Sequence, residues 1–331
     1  MAVSHPGTGE EAGTGEDAGG GAVAGGGAVA GSPELIQAVP LRRPGRWIMA
    51  ALVVAGLGLF LYGVATNPAY DWSTFGRYLF DERVSRAAAV TLSLTVLAMI
   101  FGIVLGVVLA VMRLSPNPIL KWVSFGWLWF FRGTPIYVQL VFWGLIVVIY
   151  KQIDLGIPFV HQFAHINTQN LVTVYWLAVL GLALNESAYM AEIVRAGLTS
   201  VDEGQDEAAR ALGMSWGQTM RRIVLPQAMR VIIPPTGNEL ISMLKTTSLV
   251  TAVPLTSELY SRTRDLAVET FNPIPMLLVA SAWYLFFTSV LMVGQFYLER
   301  YFARGASRKM SARQLQALAN AQAAGNQKGL I

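Results

Sequence analysis

Between Arg86 and Arg113 the chain carries no charged residue, and that run constrains the fold more than any other feature of the sequence. A helix rises 1.5 Å per residue, so about 20 apolar residues cross the roughly 30 Å hydrocarbon core of a bilayer. Ala87–Met112 is long enough to do so. Five further apolar windows repeat the pattern. They are Trp47–Ala65; the stretch between Lys121 and Lys151, broken only by Arg132; a stretch from near Ile166 to about Ile193; Thr236–Leu255; and Phe271–Leu298. In the third window the membrane part is expected to begin near Pro135. The fifth is the weakest, because Glu239 and Lys245 lie inside it. Only 13% of residues are charged and 54% are hydrophobic, against roughly 25% charged in an ordinary soluble domain. The expected fold class is therefore an all-α integral membrane protein with six transmembrane helices, and soluble enzyme classes are excluded. Cysteine is absent, which removes disulfides, thiolate metal sites and a cysteine nucleophile.

The rest of the chain divides around these windows. Residues 1–45, rich in Gly, Ala and acidic side chains, have little to bury and read as a disordered tail without a specific role. No basic segment precedes an apolar core in residues 1–31, so no secretory signal is read there. Residues 46–66 form the first span, 67–86 an amphipathic interfacial segment, 87–302 the main spanning domain and 303–331 a second tail. Basic residues orient the whole. Arg42, Arg43, Arg46, Arg113, Lys121, Arg195, Arg210, Arg221, Arg222, Arg230 and those of the second tail fall on one side. Arg77, Arg83, Arg86, Lys151, Arg262 and Arg264 fall on the other. Both termini and the segment 195–235 are accordingly expected in the cytoplasm, with the chain multi-pass in a bacterial plasma membrane.

Segment 195–235 reads as two short helices. Asp202–Leu212 begins with acids, which suit a helix N-terminus, and Gly213 ends it. Ser215 with Gln218 forms a capping box for the second helix, in whose last turn Pro226 sits. Pro234-Pro235 then separates that helix from the fifth span. A short amphipathic hairpin of this kind acts by docking into a partner's groove, and Ala208, Ala209 and Gly213 are small enough to permit close approach. The blander reading is an interfacial connection with no partner.

At these residues the chain resembles a known family. Glu207-Ala208-Ala209, Gly213 and Ile223-Val224-Leu225-Pro226, at their spacing, match the EAA loop of ABC importer permeases. Phe131-Arg132-Gly133-Thr134-Pro135, Leu184-Asn185, Arg195-Ala196-Gly197 and Leu244-Lys245 with Thr247-Ser248-Leu249 are similar to the polar amino acid group, which serves histidine, glutamate, glutamine, arginine and opines. The resemblance covers residues 87–302. Two departures stand out: Thr246 replaces a common acid, and the first span precedes the five-helix type I core. The resemblance implies a permease subunit that forms the translocation path of an ATP-driven amino acid importer. It implies coupling through Glu207, Ala208, Ala209, Gly213, Ile223, Leu225 and Pro226 to separate cytoplasmic ATPase subunits. It further implies an extracytoplasmic amino-acid-binding protein and a second permease chain, the same or related. No cofactor is implied. The chain has no G-x-x-x-x-G-K-[ST] phosphate loop, in keeping with ATP hydrolysis on another chain and with a subunit that is not itself an enzyme.

Charged residues within spans mark pathways or buried pairs. Glu192 lies one turn from Arg195 and is expected to pair with it. Glu186 has no basic residue at helical spacing, so it is a candidate ligand for a substrate cation, or a structural acid. Asn185, Ser187 and Tyr189 supply polar edges beside it, and Lys245 is a candidate to pair with a buried acid or to meet a substrate carboxylate. Gly102 and Gly106 are explained by close helix packing. His161 and His165, without neighbouring carboxylates, make no metal site with His5. The rival function is a self-sufficient secondary transporter or channel, which needs an internal repeat and a coupling-ion site. No convincing inverted repeat is visible.

Overall fold

The computed structural model describes residues 44–157, 161–167 and 173–302. Residues 1–43, which include His5, and the second tail lie outside the described residues. The chain forms two compact units, the first ending at Phe60 and the second running from Leu61. Helix α1 (Pro44–Thr66) begins in the first, is apolar on every side, and has exposed residues from 45 to 62.

In the second unit, α2 (Trp72–Leu79) is a short amphipathic helix capped by Asp71, whose carboxylate accepts from Thr74 N–H. Helix α3 (Glu82–Leu114) follows immediately, capped by Asp81. The Arg83 guanidinium bonded to Asp81 holds that carboxyl below its usual range. Helix α4 (Pro118–Gly133) and α5 (Ile136–Ile149) meet at a 103° bend. Pro135 causes the break, because the residue before a proline is pushed out of the helical region and the proline lacks an N–H. α5 thus starts where the apolar window is expected to enter the membrane.

An antiparallel hairpin, β1 (Gln152–Ile157) and β2 (His161–Asn167), joins α5 to α6 (Val174–Thr199). The expected fourth window therefore begins late, since Ile166 belongs to a strand. His161 and His165 both lie on β2, and no metal-ligating group of residues forms among the described residues. The spanning body is helical, as expected, and the hairpin is its one addition among the described residues.

Helix α7 (Glu203–Ala211) and α8 (Trp216–Thr219) form the loop hairpin. Two expectations change here. Pro226 does not lie in the last turn of the second loop helix, which is only Trp216–Thr219, but in the first turn of the helix that follows. Residues Met220–Val224 widen into a π turn, with Leu225 N–H donating to Met220 O, and the helix continues as α9 (Leu225–Thr246). Widening the turn accommodates the ring and the missing N–H of Pro226. Nor do Pro234 and Pro235 separate two helices; both lie inside α9. A 3₁₀ turn (Thr247–Ala252) ends that segment, and α10 (Leu259–Thr270) and α11 (Pro273–Phe302) complete the chain.

Among the described residues four helices are long and apolar enough to cross a membrane, α1, α3, α6 and α11, and a fifth if α4 with α5 counts as one broken span. Helix α9 does not reach that threshold by composition. The centre of the second unit is the seam between α3 and α6, where Leu94, Ala98, Leu182 and Met190 are fully or almost fully buried. Glycines set its closeness. A Cβ at Gly102 would stand 2.8 Å from Glu186 Cγ, and one at Gly106 would stand 2.6 Å from Met190 Cβ.

Candidate functional site

Helix α6 carries most of the buried polarity. Asn185 is 7% exposed and donates both amide protons, to Phe131 O at 3.0 Å and to Gln139 Oε1 at 3.1 Å. Gln139 in turn donates to Phe131 O, Thr134 O and Thr134 Oγ1. These two amides satisfy carbonyls left open where α4 ends, so they hold the 103° bend. Ser187 is fully buried, donating to Leu184 O at 2.6 Å and accepting from Trp127 Nε1 at 3.0 Å. Both residues are thus committed to joining α6 with α4 and α5.

Glu186 differs from its neighbours. It is 4% exposed, its stem lies against Gly102, and Oε1 has no hydrogen-bond partner among the described residues. A buried carboxyl without a cation is stable only when neutral or when a ligand supplies the missing charge. Glu192, as its spacing predicts, is paired with Arg195 at 2.7 Å.

The remaining candidates face two separate cavities. Tyr189 lines one of about 430 Å³ between α3, α4 and α6, together with Arg113, Phe125, Trp129, Arg132 and Glu192. Lys245 lines another of about 480 Å³ between α9 and α11, with Asn238, Gln295, Met292, Phe296 and Glu299. There Gln295 Oε1 occupies the space that a side chain at Gly237 would need, while Gln295 Nε2 donates to Pro234 O at 2.8 Å and Glu299 Oε1 at 2.7 Å. The five path candidates therefore do not converge on one pocket. Lys245 sits in a groove with a carboxylate and two amides, none of which its sequence window singled out except the lysine itself.

The loop hairpin is built by local hydrogen bonds. Asp202 Oδ1 accepts from Gly204 N–H at 2.7 Å, and Asp206 pairs with Arg210 at 2.6 Å. Gly213 takes φ +73°, with Gly213 N–H donating to Arg210 O and Met214 N–H to Ala209 O. That is the double-bonded helix ending that favours glycine. Ser215 and Gln218 form the expected capping box. Ala209 is buried, whereas Glu207, Ala208 and Pro226 are exposed and Ile223 half-buried. Leu225 is partly exposed, and Leu212 and Trp216 stand 80% and 74% exposed beside Gly213. Two large apolar side chains thus stand outward beside the left-handed turn, and the sequence reading missed them because neither falls in a fixed motif position.

Glu258 was also missed. It is fully buried, caps α10 through Ser261 N–H, and accepts from Thr91 Oγ1 at 3.0 Å and Tyr284 Oη at 2.5 Å. It thereby ties α3, α10 and α11 together. Its only sequence signal was an acid one residue ahead of a helical run.

Residues 102–304 match the family described as "Binding-protein-dependent transport system inner membrane component". The arginine transport system permease protein ArgU of Corynebacterium glutamicum is 58% identical over 293 residues, 88% of this chain and 91% of the relative. The arginine transport system permease protein ArtQ of Bacillus subtilis is 36% identical over 198 residues, 59% of this chain and 81% of the relative. A crystal structure of an amino acid ABC transporter with histidines aligns with a TM-score of 0.55 at 32% identity, covering 66% of this chain and 94% of that one. The inward-facing MetNI methionine ABC transporter aligns at 0.51 and 20% identity, covering 66% and 96%, and supports the fold alone.

Proposed function

We propose, since the chain belongs to the family of binding-protein-dependent transport system inner membrane components, that it is the permease subunit of an ATP-driven importer for amino acids, with arginine or another cationic amino acid as its cargo. The observation that carries this reading is the 58% identity to an arginine transport permease across 88% of the chain. In this reading the six crossings are α1, α3, α4 with α5, α6, α9 with its 3₁₀ turn, and α11. Both termini and the α7–α8 hairpin face the cytoplasm, where basic residues concentrate. Two permease chains assemble, an extracytoplasmic binding protein delivers the amino acid, and separate ATPase subunits dock at the hairpin.

The coupling role rests on Glu207, Ala208, Ala209, Gly213, Ile223, Leu225 and Pro226, to which the exposed tip adds Leu212 and Trp216. Helix α8 runs through the π turn into α9 without a loop, so motion imposed on the hairpin reaches Glu239 and Lys245 on the same rod. The π turn and the paired prolines are where that rod bends. For the path, Lys245 is the contact for a substrate carboxylate, and Glu186 is the acid whose missing partner a substrate cation would supply. The absence of a phosphate loop supports ATP hydrolysis on another chain.

The test is uptake of labelled arginine in cells lacking the chain and in cells with it restored. Restoration should return uptake, with unlabelled lysine or ornithine competing better than glutamate. Competition by glutamate equal to that by lysine would remove the cationic assignment. Orientation is tested in this cysteine-free chain with an impermeant maleimide on intact cells. Gly156→Cys should label and Gly204→Cys should not; the reverse ends the six-crossing arrangement.

A further inference from the structure

The cavity between α3, α4 and α6 has features the transport reading leaves unused. Two guanidiniums face it, Arg113 from the last turn of α3 and Arg132 from the last turn of α4. Each is stacked on a ring, Arg113 5.0 Å from the Phe125 centroid and Arg132 5.5 Å from that of Tyr189. Stacking fixes the plane of a guanidinium and leaves N–H groups available to bond a doubly oxygenated anion; of these only Arg113 Nη1 has a partner among the described residues, donating to Lys121 O at 3.5 Å. Among the described residues no carboxylate bridges either arginine, and the one acid in the lining, Glu192, is held by Arg195. The cavity therefore carries uncompensated positive charge.

Its walls are not those of a site for a free inorganic ion. Phe125, Leu128 and Trp129 make up the rest of the lining, and at about 430 Å³ the space is far larger than a phosphate. Helix α4 further displays Trp122 and Trp129 at 71% and 70% exposure, and indole rings favour the headgroup layer of a bilayer. A ligand that places a phosphate between two arginines and an apolar body against aromatic rings is an anionic phospholipid. We propose that this cavity is a binding site for the headgroup of an anionic phospholipid, with Arg113 and Arg132 holding the phosphate and Phe125, Leu128 and Trp129 packing its glycerol and upper acyl chains. The proposal rests on the reading that α3 and α6 cross a bilayer, and it concerns no residue assigned to the cargo other than Tyr189, which here serves as a platform for Arg132.

Purified full-length chain, in complex with its partners, is incubated in mixed micelles of phosphatidylglycerol and phosphatidylcholine, and retained lipid is counted by native mass spectrometry. The wild type should keep phosphatidylglycerol at least about tenfold over phosphatidylcholine, and the preference should fall as salt rises. Arg113→Gln with Arg132→Gln should remove one retained phosphatidylglycerol while the complex still elutes as a single species. Arg113→Gln alone, at the half-buried position, should weaken retention severalfold and serves if the double variant fails to assemble. No preference in the wild type, or equal retention in the variants, overturns the proposal. Displacement of the lipid by millimolar inorganic phosphate would identify a free-anion site instead. Loss of ATPase co-purification with lipid retention unchanged would assign the arginines to a protein contact. Arginine uptake, measured separately, can succeed or fail independently of all these outcomes.

Discussion

The seam between α3 and α6 and the α7–α8 hairpin both depend on glycines and small residues, yet they use them in opposite ways. In the seam, Gly102 and Gly106 are helical, and their value is the absence of a Cβ where Glu186 and Met190 press in. In the hairpin, nothing lies within 4 Å of a Cβ built on Gly213, and its value is a left-handed backbone. The seam turns its polar groups inward and commits nearly all of them to other helices. The hairpin satisfies its backbone locally and turns Leu212, Trp216, Glu207 and Ala208 outward. One region buries its polar groups within the chain, and the other leaves large apolar side chains exposed.

The sharpest way to break this comparison is to add a side chain on the seam. Gly106→Val would drive methyl groups into Met190 Cβ, Ser187 O and Ala191 N, two of them backbone atoms that cannot move aside. Overpacking costs about 1–3 kcal/mol and sometimes more, so monodisperse protein in detergent should largely disappear. Gly126→Val is a control on α4, where no neighbour lies within 4 Å. Recovery of Gly106→Val at wild-type yield would mean that the seam is looser than its geometry.

At the hairpin, the same substitution should leave the fold alone. Gly213→Val forces a β-branched residue to positive φ, a cost of about 1–3 kcal/mol confined to the turn. Membrane insertion should persist while uptake is abolished and ATPase co-purification weakens. Gly213→Asn, which tolerates the left-handed region, should retain most of the uptake. Loss of uptake in the Asn variant as complete as in the Val variant would show that crowding, and not backbone conformation, is what the position forbids.

The two regions also differed in how legible they were. The hairpin was readable almost to the residue, because caps and helix endings are local: Asp202, Gly213, Ser215 and Gln218 each act on neighbours within a few positions. Close packing at Gly102 and Gly106 was likewise readable as small-xxx-small spacing. The limits of α9 were not, because proline signals a break locally, and only the π turn and neighbouring helices reveal that the helix absorbs it. Nor was the division of the path candidates into two cavities, since which face of α6 meets α4 depends on the 103° bend. Glu258 stayed hidden for the same reason: its partners Thr91 and Tyr284 are far away in sequence.

Glu186 is the exception within the seam, and replacing it sharpens the contrast. Gln keeps the size and hydrogen-bonding capacity beside Gly102 and removes the charge. If the acid awaits a substrate cation, Glu186→Gln should assemble normally and lose most arginine and lysine uptake. A structural acid would tolerate Gln at all cargoes, and Leu would then damage assembly first. Near-normal arginine uptake in the Gln variant would return Glu186 to the packed seam with its neighbours.

The smallest effect is expected at the start of the hairpin. Asp202 Oδ1 accepts from Gly204 N–H, so Asp202→Ala leaves an N-terminal donor of α7 to water. Loss of such a cap costs about 1 kcal/mol, which corresponds to roughly a fivefold change in an equilibrium. Hydrogen exchange at the amides of α7 should therefore quicken about fivefold in the isolated permease, while those of α3 and α6 stay unchanged. Binding of the ATPase should restore most of the lost protection, because a docked helix no longer frays independently of its partner. If exchange in α7 is already unprotected before the substitution, the hairpin is ordered only by its partner. Its caps would then merely favour a shape that docking selects, and the distinction from the self-sufficient seam would become one of stability as well as exposure.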